Sequence, residues 1–598
     1  MGIKERLAQL RKKMEENHLD MYFVPTNDFH GSEYISDYFK TREFLSGFDG
    51  SAGSIVVTKE EAGLWTDGRY FLQAEAQLAG TGITLYKSGQ EGVPTVNEFV
   101  SANIPKGGTL GVDGRLVSAA WAEGMCSMLA QKQAKLNLTH DLVGEIWLDR
   151  PALVHEKAWI LSIKYAGETR ASKLGRLRKF IREAGAGQMI LTALDDIAWL
   201  LNIRGNDIPC NPVVFSYLIV KEKECVLFAG ENIFTAEEQQ ELATDGITLR
   251  SYEEIYEYLK GFVGEAQILV DKHTANAVIA ESLSANAKLV NVISPIVRWK
   301  AIKNPVEIEN ERMAHIRDGV AVTKFICWLK QNIDKMPLTE IKAAEKLESF
   351  RKKEKNYLGP SFEPIAGYAE HGAIVHYSAT PETDARLLPE NFLLLDTGGQ
   401  YLEGTTDITR TILLGGKATK EQKKYYTAVL RGNLNLAAAK FMYGCSGVAL
   451  DYAARQPLWE MGCDYNHGTG HGVGYLLNVH EAPNAFRYRI LKEPGQNAVL
   501  EEGMITSNEP GIYLAGKYGI RLENLILCVK KEKNEFGQFM GFEPLTFVPF
   551  DRDAIAVEQM SVKEITLLNE YHRQVYDNLK KYLSSEEKEW LADVCAPL

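Results

Sequence analysis

Two apolar ribbons that end in carboxylates constrain this chain more than any other feature of its sequence. The run Phe392–Leu393–Leu394–Leu395 ends in Asp396, and Asp407 follows eleven positions later within Gly404–Thr405–Thr406–Asp407–Ile408–Thr409–Arg410–Thr411. Gly398, Gly399 and Gly404 lie between them and predict a hairpin that brings the two carboxylates to neighbouring strand positions. The arrangement recurs. Glu509 follows Met504–Ile505–Thr506–Ser507–Asn508, and Glu523 stands fourteen positions on within Ile520–Leu527, with Gly511, Gly516 and Gly519 between. A carboxylate at the end of so apolar a strand is costly to bury unless it is paired, protonated or bound to a cation.

Between the ribbons lies His467–Gly468–Thr469–Gly470–His471–Gly472–Val473–Gly474, followed by His480–Glu481. The glycines allow the close backbone approach that an imidazole aimed at a metal needs. Asp396, Asp407, His471, Glu509 and Glu523 form a hard, oxygen-rich donor set, which suits Mn²⁺ best and Co²⁺, Fe²⁺ or Zn²⁺ less well. Five ligands with four negative charges exceed what a lone catalytic zinc takes. They fit two ions about 3.5–4 Å apart that share carboxylates. Arg521 precedes Glu523 by two residues and is expected to orient it from the same strand face, with Thr409 in the same relation to Asp407. Taken singly, each residue is more often a turn-former, an ion-pair partner or a loop histidine; the ordered set points to a metal centre. HExxH, GxSxG and GxxxxGK[ST] motifs are absent, and the glycines at 468–474 do not space as a nucleotide-binding loop.

The remaining chain is long enough, at 598 residues, for two to four domains. A net charge of -12 gives no electrostatic reason to bind nucleic acid or an anionic membrane. No apolar stretch has the length of a spanning helix, and the first twenty residues lack a signal-peptide pattern. The eight scattered cysteines contain no CxxC pair and read as reduced thiols, so a cytoplasmic protein is expected. Strands are expected at Met21–Thr26 and Ser51–Thr58, a boundary near Asp149–Pro151, a helix over Ser172–Ala184, and strands near Met189–Leu191 and Val213–Val220. The segments Phe44–Gly50 and Trp199–Gly205 both bring an apolar approach to a glycine turn; a shared fold and coincidence stand equally open. Pro305 opens a helix with Glu307, Glu309 and Glu311 near its positive end. From Asp551 to Leu598 a charged helical segment carries Leu567, Leu568, Tyr571 and Val575 as an apolar stripe, read as core packing ahead of a partner surface.

In this order the five candidate ligands resemble the metal centre of the pita-bread peptidases: methionine aminopeptidase, prolidase and aminopeptidase P. The segments GTTDITRT, HGTGHGVGYLLNVHE, NEPGIY and GIRLEN are most similar to the large three-domain cytosolic Xaa-Pro aminopeptidases. So are GFDGSAG at Gly47–Gly53 and WTDGRYFLQA at Trp65–Ala74, which extends the resemblance over nearly the whole chain. It implies an α/β (α+β) architecture: creatinase-like domains at 1–152 and 153–303, a pita-bread catalytic domain at 304–550, and a helical extension at 551–598 packed on it.

The resemblance further implies a metal-dependent aminopeptidase that hydrolyses the N-terminal Xaa-Pro bond through a hydroxide bridging two divalent ions. Asp396 would chelate one ion, His471 and Glu509 the other, and Asp407 and Glu523 would bridge. Glu509 would double as general base, His480 would bond the scissile carbonyl, and His376 in HGAIVHYSA would contact the proline side. Arg69 matches a substrate-contacting arginine that reaches a neighbouring subunit's site, with a purely structural ion pair as a nearly equal reading. Arg69, His376, His471 and His480 are thus the implied substrate contacts, peptides with proline second the substrates, and a homodimer the assembly. Prolidase is the second reading, although prolidases typically carry one N-terminal unit. Metal-free pita-bread binding modules have lost ligands that are all present here.

Overall fold

The computed structural model describes residues 1–262, 267–283, 287–491 and 497–598, in two compact units. One comprises Met1–Ser162 with Glu168–Ile296, the other Ile163–Gly167 with Val297–Leu598.

The first unit contains two six-stranded sheets. Strands β1 (Met21–Pro25), β2 (Ser54–Thr58), β3 (Ala62–Thr66), β4 (Thr84–Lys87), β5 (Thr109–Gly111) and β6 (Lys135–Asn137) lie in the order β4-β3-β2-β1-β5-β6. β1 and β3 run antiparallel to β2, while β3/β4, β1/β5 and β5/β6 are parallel. The second sheet is built from β7 (Gln188–Leu191), β8 (Ser216–Lys221), β9 (Cys225–Ala229), β10 (Ile247–Ser251), β11 (Gln267–Val270) and β12 (Lys288–Asn291). Its order is β10-β9-β8-β7-β11-β12, with the same parallel and antiparallel pairings at every position. The two segments therefore share one topology, which decides the question left open by the two glycine turns. Ile55, Val56 and Val57 in one sheet, and Leu218, Ile219 and Val220 in the other, are fully buried. Such unbroken apolar runs are what strands covered on both faces require. The helix expected over Ser172–Ala184 spans Arg170–Glu183, because the Thr169 side chain caps its first turn by accepting from the Ser172 N–H.

The longest helix of the second unit is α1 (Pro305–Asn332). Asn304 caps it and Glu307 closes a reciprocal box with the Asn304 N–H, so the helix begins where Pro305 predicts. Val322, Phe325, Ile326 and Leu329 of α1 pack with Ala343 and Leu347 of α2 (Glu340–Arg351) against Leu393, Leu395 and Ile412. Those residues belong to β13 (Phe392–Thr397) and β14 (Ile408–Leu413), which pair antiparallel with Asp396 opposite Thr409. β15 (Gly470–Gly472) lies between β16 (Glu481–Phe486) and β17 (Ile505–Asn508), and β17 pairs antiparallel with β18 (Asn524–Asn534), Asn508 opposite Asn524. On the other flank, α3 (Lys420–Ala437) and α4 (Val562–Leu579) share a core in which Leu430, Leu434, Ile520, Leu568, Tyr571 and Val575 are buried. The C-terminal stripe is therefore core, as expected, with Leu567 at its edge.

Candidate metal centre

Both ribbons deliver their carboxylates at strand ends. Asp407 immediately precedes β14, Glu509 follows β17, Glu523 precedes β18, and Asp396 is the penultimate residue of β13. The glycine-bordered His471 is the central residue of β15. One ligand atom each from Asp407, His471 and Glu523 falls within 4.8 Å of the other two. His471 Nε2 lies 3.5 Å from Asp407 Oδ2 and 3.4 Å from Glu509 Oε1. Its Nδ1 is 2.9 Å from the Gly472 carbonyl, which fixes the tautomer and leaves Nε2 facing the carboxylates. Asp396 is tied to the group through Arg521, whose Nη2 donates to Asp396 Oδ2 at 2.6 Å. Arg521 Nε also reaches Thr409 Oγ1 at 3.3 Å, and Thr409 Oγ1 donates to Glu523 Oε2 at 2.7 Å.

Burial and neighbouring charge shift the titrations of Asp396, Glu509, Glu523 and His471. Burial raises the Asp396 carboxyl, with Arg521 pulling it back and Asp407 adding to the rise. Burial also raises Glu509, against the pull of His471. Glu523 stands well above the ordinary range, through burial and then the charges of Asp407, Glu509 and Asp396. Burial disfavours the His471 imidazolium, but Asp407 and Glu509 outweigh it and carry its pKa to about 9. Asp396 Oδ1 and Asp407 Oδ1 are buried without a hydrogen-bond partner. Unpartnered buried oxygens, carboxyls pushed above their ordinary range and an imidazole pushed up to about 9 all mark missing positive charge. Divalent cations fit that deficit, and four carboxylates with one imidazole are donors of the matching hardness.

Comparison with known proteins agrees with this chemistry. The description "Metallopeptidase family M24" matches residues 309–530, and "C-terminal region of peptidase_M24" matches 538–598. "Creatinase/Prolidase N-terminal domain" matches twice, at 6–142 and 149–307. Aminopeptidase P2 of Arabidopsis thaliana is 39% identical over 100% of this chain and 89% of its own length. The chain belongs to the aminopeptidase P branch of metallopeptidase family M24. Xaa-Pro aminopeptidase 1 of Dictyostelium discoideum is 36% identical, with 100% of this chain and 97% of that protein covered. The crystal structure of X-prolyl aminopeptidase from Caenorhabditis elegans, described as a cytosolic enzyme with a di-nuclear active site, superposes with a TM-score of 0.94. It is 33% identical, and both chains are covered completely.

The other sequence-predicted residues of this M24 chain fall at different places. The His480 ring lies 4.2 Å from that of His471, centroid to centroid and nearly perpendicular to it. His376 follows Val375, whose carbonyl accepts from Arg521 Nη2 at 3.2 Å, so the backbone beside His376 is held by the guanidinium that also holds Asp396. Arg69 lies in the first unit and donates to both oxygens of Asp67, at 2.8 and 2.7 Å, while remaining 26% exposed. Two expectations are corrected. Arg521 does not bond Glu523 and Thr409 does not bond Asp407; Arg521 holds Asp396, and Thr409 holds Glu523. Residues two apart on one strand are separated by about 6.5–7 Å, whereas cross-strand neighbours approach to about 4.5–5.5 Å. Thr409 is the cross-strand partner of Asp396, and its carbonyl accepts from the Glu523 N–H at 3.0 Å.

Three polar residues of the site were not singled out from the sequence. Tyr513 accepts from Arg521 Nη1 at 2.6 Å and is bonded to His467 Nε2 at 2.8 Å. His467 Nδ1 lies 3.9 Å from Glu509 Oε2, so Asp396, Arg521, Tyr513 and His467 form a polar chain that returns to Glu509. Ser507 Oγ accepts from the His471 N–H at 2.9 Å and donates to Glu509 Oε1 at 3.0 Å. His467 and Tyr513 stood inside the quoted motifs, but a tyrosine after a Gly turn reads as an ordinary strand residue.

A side chain at position 470 would overlap the Ser507 carbonyl oxygen, so Gly470 sets how closely the His471 strand approaches the strand leading to Glu509. Gly470→Ala is expected to destabilise the protein by about 1–3 kcal/mol through overpacking. Divalent-ion affinity should fall at least about tenfold, since His471 and Glu509 move apart. Thermal melts and metal titration check both, and wild-type values in the two measurements would show that the strands can yield.

Proposed function

We propose that this chain removes the N-terminal residue of peptides with proline in second position, using two divalent ions, most readily Mn²⁺, held by Asp396, Asp407, His471, Glu509 and Glu523. The observation that carries this reading is the convergence of Asp407, His471 and Glu523, with Glu509 against His471, around carboxylate oxygens that lack partners. Relatives named Xaa-Pro aminopeptidase support the substrate class. When bound, the pair of ions supplies Lewis-acid pull on the scissile carbonyl and a hydroxide at neutral pH.

The chain's own residues do the rest. The Glu509 carboxylate takes a proton from water and delivers it to the departing prolyl nitrogen. His480 donates to the carbonyl oxygen as negative charge develops there. His376 lines the proline side, and Arg69 contacts the substrate from a partner subunit. Proline is distinctive because its tertiary amide has no N–H and its ring is fixed, so a site that reads the ring by shape is selective for it. The proposed domains are 1–152, 153–303, 304–550 and 551–598.

A cytoplasmic location is proposed in keeping with the neighbour described as cytosolic; among the described residues no helix is long and apolar enough to cross a membrane. A homodimer is proposed as well. An exposed aromatic patch supports it, with Tyr452 against Trp459 and Trp459 against Tyr488.

The test compares Arg-Pro with Arg-Pro-Pro in the presence of Mn²⁺. The tripeptide is expected to give the higher kcat/KM by at least about tenfold, one order of magnitude being about 1.4 kcal/mol in the transition state. Cleavage of the dipeptide alone makes the chain a prolidase. No bound divalent ion and no hydrolysis makes it a binding module.

A further inference from the structure

A buried ion cluster adjoins His480. Lys303 Nζ donates to Glu481 Oε1 at 2.6 Å, and Lys300 Nζ approaches Oε2 at 3.4 Å, with all three side chains no more than 2% exposed. Lys303 Nζ also donates to the Lys300 carbonyl at 3.0 Å, and the Lys303 N–H to the Gly503 carbonyl at 3.0 Å. Glu311, on α1, feels both Lys303 and Glu481. Its Oε1 accepts from the Thr405 N–H at 3.2 Å, two residues before Asp407. A side chain at position 404 would overlap the Glu311 carboxyl, so Gly404 leaves that acid its space.

Taking each of these ions out of water costs several kcal/mol, and well-packed apolar residues of the same volume often serve stability as well or better. The placement of the cluster is therefore more informative than its contribution to stability. Glu481 opens β16 directly after His480, and its backbone lies opposite Gly472, the neighbour of His471. His480 stands in the bend that leads directly into β16, so a carboxylate that fixes the Glu481 backbone also fixes the backbone from which the His480 ring departs. No residue between the two can absorb a shift. The helix-side lysines thus hold the backbone from which His480 approaches His471.

We propose that Glu481, clamped by Lys303 and Lys300, is a positioning residue that sets the His480 imidazole beside the metal centre. This rests on the aminopeptidase reading for its kinetic consequence but not for its structural one. Wild-type, Glu481→Gln and the apolar triple variant Lys300→Met/Lys303→Met/Glu481→Leu are compared as full-length protein, loaded with diamagnetic Zn²⁺ for the ring signal and with Mn²⁺ for kinetics. Three quantities are read: Tm, the ¹³C-labelled His480 ring signal assigned through His480→Ala, and kcat with KM on Arg-Pro-Pro.

Glu481→Gln is expected to move the His480 signal and lower kcat at least tenfold, with KM within twofold. The triple variant should recover Tm while the His480 signal and kcat stay displaced. Recovery of the ring signal together with Tm, or an unmoved signal in Glu481→Gln, would overturn the proposal. The ring signal answers this whether or not the wild-type protein cleaves the peptide, and absence of cleavage by wild-type bears on the aminopeptidase reading alone.

Discussion

Glu509→Gln is expected to lower kcat on Arg-Pro-Pro by at least about 100-fold while the melting temperature of the metal-free protein is held or raised. A positioned acid–base group contributes about 10²–10⁴-fold to rate, and Gln can neither accept the proton from water nor return it to the prolyl nitrogen. The geometry survives the exchange. Ser507 Oγ, 3.0 Å from Glu509 Oε1, can donate equally well to an amide oxygen, and the Glu509 N–H still donates to the Thr469 carbonyl at 2.8 Å. Burial already resists ionisation of Glu509, so removing its charge relieves that cost and the repulsion with Asp407 and Asp396, which offsets the lost attraction to His471. Loss of activity accompanied by a fall in Tm would point to misfolding; loss with Tm preserved assigns the deficit to chemistry and ion binding. Near-normal turnover would remove Glu509 from the role given to it.

The strand ends that carry Asp396, Asp407, Glu509 and Glu523 were legible because glycine punctuation and apolar runs are local signals, and each pair sits at or immediately beside the ends of two adjacent antiparallel strands. The helix from Pro305 was legible for the same reason, since its cap and box lie within four residues. Cross-strand register was not legible. Arg521 and Thr409 each hold a carboxylate other than the one expected, because the nearest oxygen comes from another strand, and one sequence does not show which residues stand opposite. Glu481 was equally silent. Its partners Lys300 and Lys303 are nearly two hundred positions away, and a Glu after a His reads as a solvated charge until its burial is known. The two N-terminal sheets show the converse. Their strand order and directions coincide throughout, although the sequence offered only two similar glycine turns; a sheet tolerates any residues that preserve its buried pattern.

Stripping the divalent ions is expected to abolish turnover and to leave a protein whose Tm falls as pH rises from 6.5 to 9. His471 binds its proton more tightly when folded, with a pKa of about 9 against an ordinary 6.5. Its contribution to stability is fully present below 6.5 and is lost as pH rises through the folded value. Glu523, pushed well above the ordinary carboxyl range, acts in the same direction, because a raised carboxyl loses stability as pH climbs from its unfolded toward its folded value. Mn²⁺ should reverse the trend, since bound cations take the place of those protons and ligands must be deprotonated to bind them. The gain in Tm on adding saturating Mn²⁺ is therefore expected to be larger at pH 8.5 than at pH 6.5, with proton release on binding. Calorimetric melts with chelator and with Mn²⁺ across this range check both slopes. A metal-free Tm that climbs with pH, or a metal-induced gain that shrinks, would mean that these five side chains do not crowd their charges together as the geometry requires.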